Sequence, residues 1–167
     1  WLWKPLHKRI VLWYMHKSVT LKLRLARHMV HVVCTASPES FRLRGSNVVV
    51  TGHGFDTDLF SVPRTTKLSD FMRIVTVGRI SRSKGLHIMI DAMSLLPKRG
   101  VPYRFTIVGA PVIKDDIAYE QELRQRIVEL QLADFFTFTG PKEGSEIAKI
   151  LAESDVFLHV GGTGSLD

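Results

Sequence analysis

From residue 73 onward the chain alternates short apolar runs with segments of helical period, and this alternation restricts the fold more than any other feature. The expected order is strand 73–77, helix 86–96, strand 103–108, helix 119–130, strand 135–139, helix 145–154 and strand 156–160. The helices rest on period. Leu86, Met89, Ile90 and Met93 share one face, as do Tyr119, Leu123, Ile127 and Leu130, and as do Ile147, Ile150 and Leu151. Short strands that are apolar throughout fit a parallel sheet covered on both faces, because right-handed crossovers place helices on either side. The fold class expected is α/β, a Rossmann-like parallel sheet flanked by helices.

The first half repeats the pattern more weakly, with strand 9–15, helix 21–29, strand 31–35, a short helix from Pro38 and strand 47–50. It reads as a terminal piece of a second α/β domain. Between the halves, Gly52-His53-Gly54-Phe55-Asp56-Thr57-Asp58-Leu59-Phe60, then Pro63 and a polar stretch to Asp70, read as an interdomain connection over 52–70.

Ligands of open parallel sheets bind outside the carboxyl ends of the strands. Four glycine-containing loops fall there: Gly78, Gly109 to Pro111, Gly140-Pro141 and Gly161-Gly162-Thr163-Gly164. The first, Gly78-Arg79-Ile80-Ser81-Arg82-Ser83-Lys84-Gly85, is bracketed by glycines and basic. A glycine after a strand lets the backbone approach a ligand closely, and the next helix offers unpaired N–H groups and a partial positive charge to phosphate oxygens. Arg79 adds a planar fork and Lys84 a mobile point charge. The same residues also suit a solvated turn, and the pattern alone leaves both readings open. Neither Gly-x-x-x-x-Gly-Lys-Ser/Thr nor Gly-x-Gly-x-x-Gly occurs, which argues against a kinase, a P-loop ATPase or a nicotinamide dehydrogenase.

With 167 residues and 45% apolar content, the chain has enough for one ordinary domain or pieces of two. No apolar stretch approaches the ~20 residues that cross a bilayer, and the start, Trp1-Leu2-Trp3-Lys4-Pro5, has neither an initiator Met nor the layout of a secretory signal. The chain is therefore expected to begin inside a longer protein. The lone Cys34 lies in an apolar run and reads as a buried structural thiol in a reducing, cytosolic setting. The net charge of +7 is N-terminal: nine Lys or Arg face only Glu39 in residues 1–50, against fourteen basic and fifteen acidic residues beyond. That asymmetry admits nucleic acid or an anionic membrane face as partner, and equally a solvated surface. His28-x-x-His31 spans a helix end and a strand and reads as structural, so no metal is expected.

In this order the motifs resemble glycosyltransferase family 4, also called glycosyl transferases group 1, with the two-domain GT-B fold. The resemblance runs through the 52–60 connection, Val77-Gly78-Arg79 with Lys84-Gly85, Ile107-Val108-Gly109, Phe138-Thr139-Gly140 and Ala152-Glu153-Ser154-Asp155-Val156. It implies that 1–51 closes an acceptor domain, 52–70 connects, and 71–167 opens a donor domain, so that the chain is a fragment lacking both ends. Arg79 and Lys84 would hold the diphosphate of a nucleoside-diphosphate sugar and stabilise the departing group electrostatically. Gly78, Gly85 and Gly109 would let the backbone approach it, Thr139, Gly140 and Pro141 would lie near the nucleobase, and Gly161, Gly162 and Thr163 near the sugar and ribose. The Glu-x7-Glu motif usual in the family is not found, since Gly161-Gly162-Thr163-Gly164-Ser165-Leu166-Asp167 contains no glutamate.

The parent reaction implied is hexosyl transfer with retention from a nucleoside-diphosphate sugar to the hydroxyl of a saccharide or lipid-linked acceptor, without metal or organic cofactor. The isolated stretch is expected to be inactive. A nucleotide-sugar epimerase of the same fold is the alternative within enzymes. A basic nucleic-acid-binding module over 1–50 is the non-enzymatic one, ranked last for want of interleaved aromatic and basic residues. Helix 21–29, with Lys22, Arg24 and Arg27, raises a peripheral contact with an anionic inner membrane face. A core helix with exposed basic residues is preferred, because Leu21, Leu23 and Leu25 make a poor single stripe.

Overall fold

The computed structural model of the chain describes residues 6–16, 18–64 and 70–160. They divide into two units, the first ending at Phe55 and the second starting at Asp56. The α/β class expected from the alternation is what is found in each.

In the first unit, β1 (Val11–Trp13), α1 (Leu21–Met29), β2 (Val32–Thr35) and β3 (Val48–Val50) give a three-stranded parallel sheet in the order β1-β2-β3. Thr20 starts α1, its hydroxyl accepting the Leu23 N–H at 3.1 Å, which satisfies one orphan donor of the first turn. The core is small: Leu23, Val33 and Phe41 are buried, with Leu12, Tyr14, Leu43 and Val48 packed around them. Three local expectations are corrected. Helix α1 sends only Leu23 inward, while Leu21 and Leu25 are exposed; residues two apart are about 200° apart on a helix, so alternating leucines cannot share a face. No helix starts at Pro38, where Ser37 Oγ accepts the Ser40 N–H at 3.2 Å and holds a turn. Cys34 is half-buried.

The second unit carries α2 (Thr57–Phe60), β4 (Met72–Val77), α3 (Leu86–Met93), β5 (Tyr103–Val108), α4 (Lys114–Glu129), β6 (Phe136–Gly140), α5 (Gly144–Ala152) and β7 (Val156–Phe157). Within the stretch expected to be plain connection, Asp56 caps α2 by accepting from the N–H groups of Asp58 and Leu59 at 3.1 and 3.0 Å. The sheet is parallel in the order β6-β5-β4-β7, so the chain adds two strands on one side of β4 and then crosses to the other. Ile74, Phe105 and Ile107 from the strands meet Leu86, Met89 and Ile90 of α3 and Tyr119, Leu123 and Ile127 of α4 in one buried cluster. Those helical residues are the faces their spacing indicated.

Boundaries differ where apolar period is silent. Helix α4 begins at Lys114, five residues before its first buried apolar side chain, with Asp115 and Asp116 in a first turn whose dipole favours acids. Helix α3 stops at Met93, and a 3-10 turn follows at Pro97–Arg99 with the proline in its first position, where a missing N–H costs nothing. Strand β7 is only Val156–Phe157. It is fastened at its start by Asp155, whose carboxylate accepts from the Arg73 N–H at 2.9 Å and pairs with Arg73 Nε at 3.3 Å and Arg64 Nη2 at 3.2 Å. These bonds hold the Asp155 carboxyl below the usual carboxylate range, the Arg73 N–H contributing most.

Candidate anion site at the strand tips

Strand order reverses beside β4, where β5 and β6 lie on one side and β7 on the other; such a reversal is where open α/β sheets leave a crevice. A small cleft lies there, floored by Ile107 and Leu86 and lined by Gly78, Arg79, Lys84 and His159. Its volume is about 10 Å³, room for one water-sized group such as a single phosphate oxygen. Larger hollows occur elsewhere, near 470 Å³ beside Arg42 and Arg44 and near 350 Å³ between α2 and α5, and neither is lined by an expected site residue.

The loop is anchored in its middle. Ile80 is buried between the two cations, and its N–H donates to the Ala110 carbonyl at 3.1 Å. A 3-10 turn at Arg82–Lys84 then brings Lys84 back over Gly78, close enough that a Cβ on Gly78 would stand 3.7 Å from Lys84 Cε. Arg79 and Lys84 thus line the same cleft at the strand tips. Behind them, a Cβ on Gly109 would meet the Gly78 carbonyl oxygen at 2.0 Å, so the tips of β4 and β5 touch backbone to backbone. Gly78 donates to the Val108 carbonyl and Gly109 to that of Gly140, each at 2.9 Å, which ties three strand ends into one row.

Of the N–H groups expected to be unpaired at the start of α3, those of His87 and Gly85 have partners. The His87 N–H donates to the Tyr119 hydroxyl at 3.1 Å, and His87 Nδ1 lies 2.8 Å from the same oxygen. The Gly85 N–H is taken by the Arg82 carbonyl at 3.1 Å. Burial pushes the Tyr119 hydroxyl upward, and the His87 N–H partly offsets this. Gly85 itself has a packing reason: it is left-handed at φ 65°, and a Cβ there would come within 2.9 Å of Val160 Cγ2.

Thr139 and Gly140 end β6 and Pro141 follows it, two strands from β4, and none of the three lines the cleft. The Thr139 hydroxyl donates to its neighbour's carbonyl, Gly140 O, at 3.0 Å. Gly140 is left-handed at φ 73° with open space around its α-carbon. Gly161, Gly162 and Thr163 lie outside the described residues.

Sequence reasoning missed three groups here. Asp116, at the start of α4, is buried, and its Oδ2 is 4.0 Å from Arg79 Nε with no hydrogen-bond partner. His159 follows β7 and reaches the cleft because β7 pairs with β4, a neighbour that linear order does not reveal. Tyr119 reads from its spacing as core, and only its hydroxyl is unusual. As a set, two cations held over a glycine strand end can stabilise negative charge.

No helix among the described residues is long and apolar enough to cross a membrane. The protein-family model for glycosyl transferases group 1 matches residues 62–163. A putative colanic acid biosynthesis glycosyltransferase, WcaL of Escherichia coli (strain K12), is 34% identical over 119 residues, which is 71% of this chain and 28% of that protein. The amylovoran biosynthesis glycosyltransferase AmsK of Erwinia amylovora is 30% identical over 109 residues, 65% of this chain and 25% of that one. Among solved structures, Anabaena Alr3699/HepE in complex with UDP and glucose superposes with a TM-score of 0.75 at 22% identity, covering 95% of this chain and 48% of that chain. The chain thus spans about a quarter of these curated relatives' length and about half of the solved one. With the family model covering most of its length, the chain belongs to the glycosyl transferases group 1 family.

Proposed function

We propose that the chain is the middle part of a family 4, retaining hexosyltransferase, closing an acceptor domain and opening a donor domain, in a polypeptide of the relatives' length. The donor is a nucleoside-diphosphate hexose and the acceptor a hydroxyl on a saccharide or lipid-linked chain. The single observation that carries this reading is that Arg79 and Lys84 line one cleft where strand order reverses. Departure of a nucleoside diphosphate builds charge on the β-phosphate, and preorganised cations stabilise that charge more in the transition state than in the bound donor. Arg79 offers a fork and Lys84 a point charge, so the pair suits a diphosphate better than either suits it alone.

Gly78 and Gly109 serve by letting two backbone segments meet under the phosphate, and Gly85 by turning the chain into α3. The proposal keeps Thr139, Gly140 and Pro141 near the base and Gly161, Gly162 and Thr163 near sugar and ribose. A notch of about 10 Å³ takes one oxygen, so the rest of the donor lies across the open strand tips above it. A peripheral contact with an anionic membrane is part of the proposal for α1, where Leu21 and Leu25 are exposed beside Lys22 and Arg24.

Calorimetric titration with UDP, GDP and ADP at fixed salt tests the reading. Saturable binding of one nucleotide, weakened about tenfold or more in Arg79→Ala and in Lys84→Ala, is the expected result, in line with charge-assisted hydrogen bonds. Binding that these substitutions leave unchanged, or that fades with salt alike for every nucleotide, would overturn it.

A further inference from the structure

We propose that Asp116 is the positioning residue for Arg79, fixing its guanidinium so that the terminal nitrogens face the diphosphate; this rests on the diphosphate reading above. The Asp116 side chain is about nine-tenths buried, and Oδ2 has no hydrogen-bond partner. A buried carboxylate oxygen without a partner is costly, and nearby opposite charge is what offsets such a cost. The opposite charge is Arg79, whose Nε stands 4.0 Å from that oxygen.

The approach through Nε matters. A guanidinium has five N–H donors in a planar fork, and a carboxylate at ion-pair distance on the Nε edge leaves the two terminal amino groups for another anion. The Arg79 side chain is 43% exposed, so without a partner it has many rotamers to lose on binding. The helix dipole does not account for the placement, since Asp115 supplies an exposed acid to the same first turn. The base beneath the pair is rigid: the loop leading to Asp116 accepts the Ile80 N–H at Ala110, and Gly109 abuts Gly78 next to Arg79.

A double-mutant cycle read by calorimetry with inorganic pyrophosphate separates the possibilities. Arg79→Ala is expected to lower affinity about tenfold, Asp116→Asn about threefold to fivefold, and Asp116→Asn added to Arg79→Ala to have almost no further effect, because coupled residues are not additive. Unchanged affinity in Arg79→Ala defeats the diphosphate reading itself. A loss in Arg79→Ala with none in Asp116→Asn defeats only the role of Asp116. An equal loss from Asp116→Asn in both backgrounds marks it as structural and also overturns the inference. Should Asp116→Asn fail to fold, the wild type still decides by NMR. The Arg79 Nε–H should exchange with water more slowly than that of Arg82, whose ion pair with Glu122 runs through Nη2, and equal rates would contradict the proposal.

Discussion

Replacing Gly109 by alanine tests whether the touching tips of β4 and β5 hold the anion loop. The φ of Gly109 is +139°, a region that costs a residue with a side chain about 1–3 kcal/mol. Its new Cβ would also stand 2.0 Å from the Gly78 carbonyl oxygen, a backbone atom that cannot swing aside. Relief requires the two tips to part, which weakens the Gly78 to Val108 and Gly109 to Gly140 bonds, at about 1 kcal/mol each. The sum is about 3–5 kcal/mol, a large share of the 5–15 kcal/mol typical of a domain. Gly140→Ala is the control, since φ there is +73° but nothing lies within 4 Å, so only the conformational cost of about 1–2 kcal/mol applies. Urea unfolding followed by circular dichroism should place Gly109→Ala about 1–4 kcal/mol below Gly140→Ala. Two variants within ~0.5 kcal/mol of each other would refute the steric argument.

Other outcomes are expected. Tyr103 is buried with an unpartnered hydroxyl, and burial pushes that hydroxyl up to about 12; the raised value means the folded state holds its proton longer, so stability is full below pH ~10 and falls between about 10 and 12. Tyr103→Phe should therefore raise the melting temperature at neutral pH and blunt the alkaline loss, as scanning calorimetry across pH would record. The depressed Asp155 carboxyl works in the opposite sense, contributing stability above the ordinary carboxylate range and losing it as pH falls below about 4. Asp155→Asn should flatten acid unfolding and loosen 61–64 to limited proteolysis. Tyr119→Phe removes the hydroxyl that receives the His87 N–H and should cost about 1 kcal/mol in urea unfolding, the scale of a helix cap.

Much of this was legible because buried faces repeat with fixed period. Leu86, Met89 and Ile90, and Tyr119, Leu123 and Ile127, are the residues that bury, and strand Tyr103–Val108 has the boundaries its composition indicates. Arg79 and Lys84 sharing a cleft follows from local geometry, a strand end and a tight turn, which sequence carries. What was not legible is of two kinds. Elements begun by polar residues, such as the first turn of α4 and all of α2, give no apolar period and were missed. Pairing across the sheet is set by topology: the β4–β7 ladder that delivers His159, and the approach of Asp116 to Arg79 across 37 positions of chain, need the fold itself. The Leu21, Leu23 and Leu25 alternation reads as a poor single stripe, and only Leu23 of the three enters the core.

The central claim is that Arg79 and Lys84 converge on one diphosphate at the tip of β4. A crystal structure of the UDP complex tests it most directly. The account predicts the β-phosphate oxygens within about 3 Å of both side-chain nitrogens, one oxygen seated in the notch above Ile107. A nucleotide whose phosphates bind away from β4, with either cation turned to solvent, would contradict it.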